Sequence, residues 1–303
     1  MPTLACLGLG YCAQHYVAEL GQRFDRIVGT TRSADDVTAL AARRFGGRAA
    51  EMHMFDGKTA SADVRAAVAA ADALLISAAP ADGTDPVLAV LADDILHAPA
   101  LRSIVFLSTL GVYANSNGAW IDESTEVDPR LARRGSARRD AEIAWQALGA
   151  RRNVPVAILR LGGIYGPGQN VMIRLLRGDA HRIAKPGHVS NRVHVFDVVQ
   201  AIDAAFARRA DGIFNVVDDE PTSPSEHIAY AAKLLGIAPP PEIPFAEAHK
   251  VMTPFALSFY EGCIRARNDK LKNVLGVTLR YPTYREGLRA LHDAGDHLTA
   301  QGK

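Results

Sequence analysis

Short apolar segments alternate with alanine-rich helical segments through the first half of the chain, and this alternation limits the possible folds more than any other feature. Strands are predicted at residues 3–7, 26–30, 49–55, 73–77, 103–107 and 154–160. Helices are predicted between them at residues 11–20, 34–45, 61–71, 86–97 and 136–151, with Ser33 as the N-cap of the second. Apolar strands that are joined through helices form a parallel sheet covered on both faces. The pattern therefore predicts an α/β fold built on a doubly wound parallel sheet.

A glycine-rich turn follows the first predicted strand and opens the first predicted helix. Its residues are Gly8, Leu9, Gly10, Tyr11, Cys12 and Ala13. In a Rossmann-type fold, a glycine at the first position permits the tight turn, and a second lets the backbone approach a pyrophosphate. A small residue at the third position permits close packing of helix on strand, and the helix N-terminus attracts the phosphate charge. The turn predicts a dinucleotide site, and the alternative is an ordinary strand–turn–helix.

The end of the second predicted strand indicates which dinucleotide the turn binds. An NAD site places an acidic residue about 20 residues after the glycines, on the ribose 2′-hydroxyl. Here the strand ends in Thr30, Thr31, Arg32 and Ser33, without an acid. A guanidinium can bind a 2′-phosphate bidentately, so we predict NADP as the cofactor, with NAD as the less favoured choice. The alternative is that Arg32 is a solvated loop residue.

A cluster of glycine and proline at residues 162–168 ends the regular pattern, because these residues favour loops. We predict a nucleotide-binding domain over residues 1–165 and a smaller C-terminal substrate lobe over residues 166–303. Some strands of the second part, in the region 193–216, are expected to return to the main sheet.

The charge balance and the cysteines exclude several classes of protein. The chain has 303 residues, with 34 lysines and arginines against 33 aspartates and glutamates. This is not the charge of a protein that binds nucleic acid through bulk electrostatics. Three scattered cysteines indicate a reducing compartment, and no spacing typical of a metal site occurs. Without a signal-peptide pattern or a long apolar stretch, we expect a cytoplasmic protein with no membrane or nucleic-acid partner.

Five later segments occur in the order that one family shows. They are Leu107-Ser108-Thr109-Leu110-Gly111-Val112-Tyr113, then residues 158–168, then Val193-His194-Val195-Phe196-Asp197, then residues 214–221, then residues 275–288. The chain resembles the extended short-chain dehydrogenase/reductase superfamily, the group of NAD-dependent epimerases and dehydratases. The resemblance covers nearly the whole chain and implies the Rossmann-type fold.

The resemblance also implies cofactor contacts and an assembly. Asp56 is expected to face the adenine. The ribose side is expected to be lined by Ser77, Ala78, Ala79 and Pro80. The nicotinamide end is expected to be bordered by Leu107, Ser108, Leu161, Gly163 and Ile164. In this family two helices, here near residues 86–98 and 136–151, usually form a homodimer interface.

The catalytic residues of the family match this chain only in part. The family uses a Ser or Thr, a Tyr, and a Lys four residues after that Tyr. Thr109 fits the first position, with backbone capping as its alternative role. In the segment 134–142, aligned on Gly135 and Glu142, Arg134 occupies the Tyr position and Arg138 the Lys position. An arginine cannot act as a general acid at usable pH, so the chain resembles the atypical members that lack the Tyr-x-x-x-Lys pair.

Three readings of this departure remain open. In the first, the chain is an oxidoreductase with another proton donor. Tyr113 and Tyr165 are the candidates, because both are expected in loops at strand ends, with plain packing as the alternative role of each. In the second, the chain binds NADP without turnover, as a sensor or scaffold. In the third, Arg134 binds an anionic substrate group, and hydride transfer relies on Thr109 and water. We therefore expect an NAD(P)-dependent oxidoreductase or epimerase/dehydratase-like enzyme with a degenerate catalytic set and a small, anionic or sugar-like substrate.

Overall fold

The structure, a computed structural model, describes residues 2–80, 83–113, 115–127, 133–260 and 262–298, without the side chains of residues 133 and 134. Its strands are β1 Thr3–Leu7, β2 Arg26–Thr31, β3 Glu51–Met54, β4 Ala73–Ile76, β5 Ser103–Thr109, β6 Trp120–Ile121, β7 Val156–Leu161, β8 Gly163–Tyr165, β9 Arg182–Ala184, β10 Arg192–His194, β11 Gly212–Val216, β12 Glu242–Pro244 and β13 Arg265–Ala266. Its α-helices are α1 Tyr11–Leu20, α2 Ala34–Ala41, α3 Ala62–Ala69, α4 Pro86–Leu96, α5 Arg133–Arg152, α6 Val171–Leu176, α7 Val195–Arg208, α8 Pro224–Leu234, α9 Pro254–Ser258, α10 Asp269–Asn273 and α11 Tyr284–Asp293.

Seven of these strands form one parallel sheet in the order β11-β7-β5-β4-β1-β2-β3. The predicted doubly wound parallel sheet is therefore confirmed. The strand order reverses between β1 and β4, since the chain first builds outward to β3 and then resumes on the other side of β1. In such sheets a ligand crevice forms at the carboxyl ends of the strands on either side of the reversal.

Each face of the sheet packs against helices through a separate apolar core. One core contains Tyr16 and Val17 of α1 together with Val198 and Ile202 of α7. The other contains Leu91 of α4 and the fully buried Trp145 of α5, whose ring stacks on Phe106 with centroids 6.1 Å apart. Helices on both faces leave the carboxyl edge of the sheet as the place where polar side chains collect.

The second part of the chain contributes one strand to the main sheet and several short ribbons outside it. β11 pairs with β7, as expected for the region 193–216, whereas β10 pairs with β8 in a separate two-stranded ribbon. A third apolar core joins Tyr165 of this ribbon to α8 and α11 through Ile228, Tyr284 and Leu288. The boundary between two domains near residue 165 stays a prediction.

Several predicted elements differ in length in the structure. α2 ends at Ala41, four residues before the predicted end, and beyond it Gly46 and Gly47 adopt positive φ angles of 54° and 83°, which turn the chain into a bridge between Phe45 and Arg48. β3 covers only Glu51–Met54, and α5 begins at Arg133, three residues before the predicted start. Within the described ranges, no helix has the length and apolar character needed to cross a membrane.

Candidate functional site

The glycine turn lies at the reversal of the sheet and is held there by the neighbouring strands. Gly8 has a φ of +93°, and a Cβ built on it would lie 2.8 Å from the backbone nitrogen of Ala78. The Gly8 N–H donates to Thr30 Oγ1 at 2.9 Å, and the Leu9 N–H donates to the Thr30 carbonyl at 2.7 Å. Only glycine fits the first position, and Thr30, buried in β2, fixes the path of the turn.

The second glycine of the turn is not required by the protein's own packing. Gly10 precedes α1 with ordinary backbone angles, and a Cβ on it would meet only Ser77 Oγ at 3.6 Å. No side chain caps the helix at this point, so the first-turn N–H groups of Tyr11, Cys12 and Ala13 stay available to an anion. This geometry matches the role that the sequence predicted for a close approach of pyrophosphate.

Tyr11 connects the glycine turn to the chain segment that follows β8. Its hydroxyl donates to the Pro167 carbonyl at 3.0 Å, across 156 residues of sequence. Burial is the largest of the effects that raise the pKa of the Tyr11 phenol, so the hydroxyl keeps its proton as a hydrogen-bond donor. Sequence reasoning missed this contact, because nothing near Tyr11 in the sequence indicates the loop at residues 166–168.

Arg32 stands directly after β2 and is exposed. It has no hydrogen-bond or ion-pair partner among the described residues. Two acids follow in the first turn of α2, but Asp36 accepts from the Thr31 hydroxyl at 3.4 Å, and its own N–H donates to the predicted N-cap Ser33. The guanidinium is therefore free to bind an anion at the carboxyl end of β2.

The predicted adenine and ribose contacts line the ends of β3 and β4. Asp56 is exposed, and its Oδ1 accepts from the N–H groups of Lys58 and Thr59, which lowers the pKa of the carboxyl. Ser77 and Ala78 both donate their N–H groups to the Leu7 carbonyl, which places them beside the glycine turn. Ala79 is exposed and Pro80 half-buried in the same segment.

The ends of β5 and β7 hold a buried ion pair instead of a free polar surface. Glu142 of α5 accepts three hydrogen bonds from Arg160, the shortest at 2.6 Å, and both side chains are at most 4% exposed. Ser108 donates its hydroxyl to the same carboxylate at 2.5 Å. The side chain of Ser108 is thus engaged with the buried carboxylate instead of a cofactor. Arg160 is the one charged residue in an otherwise apolar strand, a signal from which a buried partner could have been predicted.

Arg138, predicted to occupy the Lys position of the family, is anchored on the protein backbone. Its Nη1 donates to the Leu107 carbonyl at 2.8 Å, so the guanidinium lies at the carboxyl end of β5. Arg134 lies one turn earlier on α5, and its side chain is outside the described residues. The predicted role of Arg134, binding an anionic substrate group, therefore stays a prediction.

The hydroxyl groups predicted as catalytic differ in how far they are free to react. Thr109 is half-buried, and its Oγ1 accepts from the Gly111 N–H at 3.1 Å, which is the capping role weighed from the sequence. The hydroxyl proton of Thr109 can still be donated to another group. Tyr113 is 5% exposed and donates to Asn215 Oδ1 at 2.9 Å, with the Arg160 guanidinium 4.5 Å from its ring centroid.

Tyr165 lies inside β8, not in a loop as predicted. It is 4% exposed, packs in the core against α8 and α11, and burial raises the pKa of its phenol. Its hydroxyl lies against Gly287, where a Cβ would come within 2.0 Å of it. Packing, the alternative for this residue, therefore describes it better than proton donation at the cofactor.

The segment after β7 brings the remaining predicted residues to the crevice. Leu161 ends β7 and is buried, Gly163 is exposed, and Ile164 is half-buried. The Gly163 N–H donates to the Asn191 carbonyl at 2.9 Å, which sets the register of β8 beside β10. This pairing places Arg192, the first residue of β10, opposite Gly163 at the open edge of the sheet.

A glycine turn between a parallel strand and an uncapped helix, at the reversal of a doubly wound sheet, defines a dinucleotide-binding α/β protein. The chain belongs to the NAD dependent epimerase/dehydratase family, whose model matches residues 8–216. This membership confirms the resemblance found in the sequence at the level of the family.

A curated relative, a 3-diazoavenalumate denitrifying reductase from a Streptomyces species, is 30% identical over 167 residues. The match spans 53% of this chain and 54% of the relative, so about half of each protein is compared.

Solved structures extend the similarity over almost the whole chain. A conserved protein of unknown function from Silicibacter pomeroyi DSS is 42% identical, with a TM-score of 0.84 over 97% of this chain and 99% of that one. A human epimerase family protein, solved with NADPH, shares the fold at 14% identity, with a TM-score of 0.71 over 96% of this chain and 99% of that one.

Proposed function

We propose that this protein is an NADP(H)-dependent oxidoreductase that acts on a small organic substrate carrying an anionic group. The unpaired Arg32 at the end of β2 is the observation that carries the cofactor choice. A 2′-phosphate is dianionic or nearly so, and a planar guanidinium binds it through two hydrogen bonds. The relative named as a reductase and the human family member solved with NADPH support the same class.

The described residues fit a nicotinamide dinucleotide along the whole crevice. The turn at Gly8 and Gly10 and the uncapped start of α1 suit the pyrophosphate. Arg138, anchored on the Leu107 carbonyl near the end of β5, suits the role of holding the nicotinamide ribose, which the resemblance assigns to the family's lysine. When bound, the cofactor supplies or accepts a hydride at the carboxyl ends of β5 and β7.

Thr109 is the residue we assign to the reacting oxygen of the substrate. Its Oγ1 accepts from the Gly111 N–H, so the hydroxyl proton points away from that contact and can be donated. Tyr113 and Tyr165 are less suited, because the first donates to Asn215 and the second is enclosed in the C-terminal core. Water or Arg134 then completes the polar surroundings of that oxygen, in keeping with the reading of a degenerate catalytic set.

Calorimetric titration with NADPH and with NADH tests the cofactor choice. We expect NADPH to bind the wild-type protein at least about tenfold more tightly than NADH, since a lost bidentate contact to a phosphate is worth about that factor. Arg32→Gln should abolish the preference. Arg44→Gln, which removes the same charge from an exposed site beyond the opposite end of α2, should leave it unchanged. Equal affinity for the two cofactors in the wild-type protein would contradict the proposal.

A second candidate function is NADP binding without turnover, as a sensor or scaffold. It is favoured by the engagement of the Tyr113 hydroxyl with Asn215 and by an arginine at the usual tyrosine position. Oxidation of NADPH with a panel of carbonyl and conjugated carboxylate substrates separates the two functions. Turnover that is lost in Thr109→Val supports the oxidoreductase, and tight NADPH binding with no turnover supports the alternative. The homodimer and the cytoplasmic location stay predictions.

A further inference from the structure

Arg192 is a buried arginine whose hydrogen-bonding capacity is largely unused. It is 7% exposed, and its Nη1 donates to the carbonyls of Ser190 and Thr222 at 3.3 Å each. Its Nε and Nη2 have no partner among the described residues, and no carboxylate there forms an ion pair with it. A guanidinium in this state pays the cost of desolvation without a counter-ion in contact.

The side chains around Arg192 also carry polar atoms without partners. The group consists of Arg192, His188, Asp218, Tyr165, His227 and Tyr284, and it is called the Arg192 cluster below. Both ring nitrogens of His188, Oδ2 of Asp218, Nε2 of His227 and the hydroxyls of the two tyrosines are buried and have no hydrogen bond within the described chain. Buried polar groups are satisfied in folded proteins, so this concentration of unused donors and acceptors indicates a polar molecule or group between them.

Arg192 supplies the positive charge of the Arg192 cluster, and among the described residues the Asp218 carboxyl forms no contact ion pair with it. Burial raises the pKa of the Asp218 carboxyl well above its usual range, while its Oδ1 accepts from the Glu220 N–H at 3.2 Å. Burial lowers the pKa of His188 to about 4, with Lys185 and Arg192 adding to the effect, so His188 is neutral near pH 7 and can donate one N–H. The cluster therefore offers one guanidinium charge and several neutral donors, which is the environment that an oxyanion requires.

The cluster adjoins the predicted nicotinamide end of the crevice. Arg192 pairs with Gly163 in the β8–β10 ribbon, and its Cγ lies 4.0 Å from the position of a Cβ on Gly163. Gly163 is exposed to the crevice and has no side chain to separate the two regions. Tyr284 lies with its ring centroid 5.8 Å from the guanidinium carbon, so the group that carries the anion meets aromatic faces.

We propose that the Arg192 cluster is the subsite for the carboxylate or phosphate of the substrate, with Arg192 binding the oxyanion through Nε and Nη2. The proposal rests on the proposed function in one respect, since it places the anion of that same substrate. It adds the residue that recognises the anion and the aromatic surroundings of its carrier.

Binding of two matched probes tests the proposal on the NADP-loaded protein. Cinnamate and phenyl phosphate each join one oxyanion to an aromatic ring, and cinnamyl alcohol is the neutral control. We expect at least one of the two anions to bind, with an affinity at least about tenfold higher than that of the alcohol. A preference for cinnamate assigns the subsite to a carboxylate, and a preference for phenyl phosphate assigns it to a phosphate ester. Binding of neither anion, or equal binding of the alcohol, would overturn the proposal.

The variant Arg192→Gln should lower the affinity for the anion by at least about tenfold and leave NADPH affinity within about twofold of the wild-type value. Arg151→Gln is the matched control, because it removes an exposed charge from the last turn of α5, near the opposite edge of the sheet. Unchanged anion affinity in Arg192→Gln contradicts the subsite. If the wild-type protein does not bind NADPH, the proposed function is contradicted instead. Failure of the anion subsite and failure of the proposed function are therefore distinguishable.

A measurement on the wild-type protein covers the case in which Arg192→Gln does not fold. In a crystal structure of the protein with NADP and the tighter anion, we expect the oxyanion within hydrogen-bond distance of the Arg192 guanidinium. The anion bound elsewhere in the crevice, with Arg192 unchanged, would overturn the assignment.

Discussion

Two buried arginines on neighbouring parts of the crevice differ in how the protein treats their charge. Arg160 on β7 meets Glu142 through three hydrogen bonds, and Ser108 adds a fourth to the same carboxylate. Arg192 on β10 has two long bonds to carbonyl oxygens and unpaired polar neighbours. The first arginine is fully paired within the fold, whereas the described residues give the second no carboxylate in contact.

The pKa values of the two guanidinium groups follow the same difference. Burial opposes the charge of both, but the hydrogen bonds and charge of Glu142 raise the pKa of Arg160 overall. For Arg192, burial outweighs the more distant charge of Asp218 and lowers the pKa. A buried charge without a contacting partner is poor for stability, so its presence is better explained by a binding role.

The same substitution at both arginines gives the largest predicted contrast. Arg160→Gln leaves the Glu142 carboxylate buried without its partner, which should lower the free energy of unfolding by about 3–5 kcal/mol. Arg192→Gln breaks no contact ion pair and removes a desolvated charge, so we expect a change of at most about 1 kcal/mol. Urea unfolding at pH 7 measures both, and equal losses would remove the distinction between the two arginines.

The acid stability of the protein should depend on the Arg192 cluster. His188 has a folded pKa of about 4 against 6.5 in the unfolded chain, so the unfolded state binds the extra proton between these values. Stability that is present above pH 6.5 is therefore lost as the pH falls toward 4, by about 2–3 kcal/mol from this residue.

His188→Gln removes this contribution and should flatten the curve of unfolding free energy against pH in that window. His249→Gln, at an exposed position, is the control and should leave the curve as in the wild-type protein. If the unfolding free energy of His188→Gln falls with pH as steeply as that of the wild-type protein, the loss of stability in acid does not come from protonation of His188.

The two turn glycines extend the contrast from side chains to backbone. Gly8→Ala places a Cβ against the Ala78 backbone at a positive φ, so we expect a stability loss of about 1–3 kcal/mol as well as lost NADPH binding. The Cβ of Gly10→Ala meets nothing closer than 3.6 Å, so this variant should fold normally. Its NADPH affinity should fall by at least about tenfold, because the backbone can no longer approach the pyrophosphate. Thermal unfolding combined with NADPH titration checks both. If Gly10→Ala binds NADPH with wild-type affinity, the turn does not bind the pyrophosphate through a close backbone approach at Gly10.

Ser108→Ala gives the smallest predicted effect and tests a cofactor residue. It removes one hydrogen bond to the buried Glu142 carboxylate, which still has Arg160 as a partner. We therefore expect the free energy of unfolding to fall by about 1–2 kcal/mol. NADPH affinity should change by less than about threefold, because the Ser108 side chain points to Glu142. A large loss of affinity with little loss of stability would instead return Ser108 to the cofactor site.

The parts of this molecule that sequence predicts best are those built from neighbours along the chain. The strand before Gly8 and the helix after Gly10 follow from local periodicity and from the conformational demands of glycine. Ser33 as N-cap of α2 was predicted on the same grounds and is confirmed by its hydrogen bond from the Asp36 N–H at 3.1 Å.

The parts that sequence did not predict depend on contacts distant along the chain. The Arg192 cluster joins residues from positions 165 to 284, and no local pattern relates His188 to Asp218 or Tyr284. Tyr165 was placed in a loop because glycines surround it, yet pairing of β8 with β10 fixes it in a strand. The assignment of Arg134 to the family's Tyr position stays a prediction, since it depends only on the alignment of the sequence with the family's motif.

The hydrogen bond from Tyr11 to Pro167 has a thermodynamic consequence for the whole crevice. It joins the first residue of the cofactor helix to the loop that leads from β8 into the C-terminal core. A ligand at the turn that favours this contact also favours the loop position that the contact holds. Because linkage is reciprocal, a substrate that orders the loop must raise the affinity for the cofactor. The factor is the same as that by which the cofactor raises the affinity for the substrate.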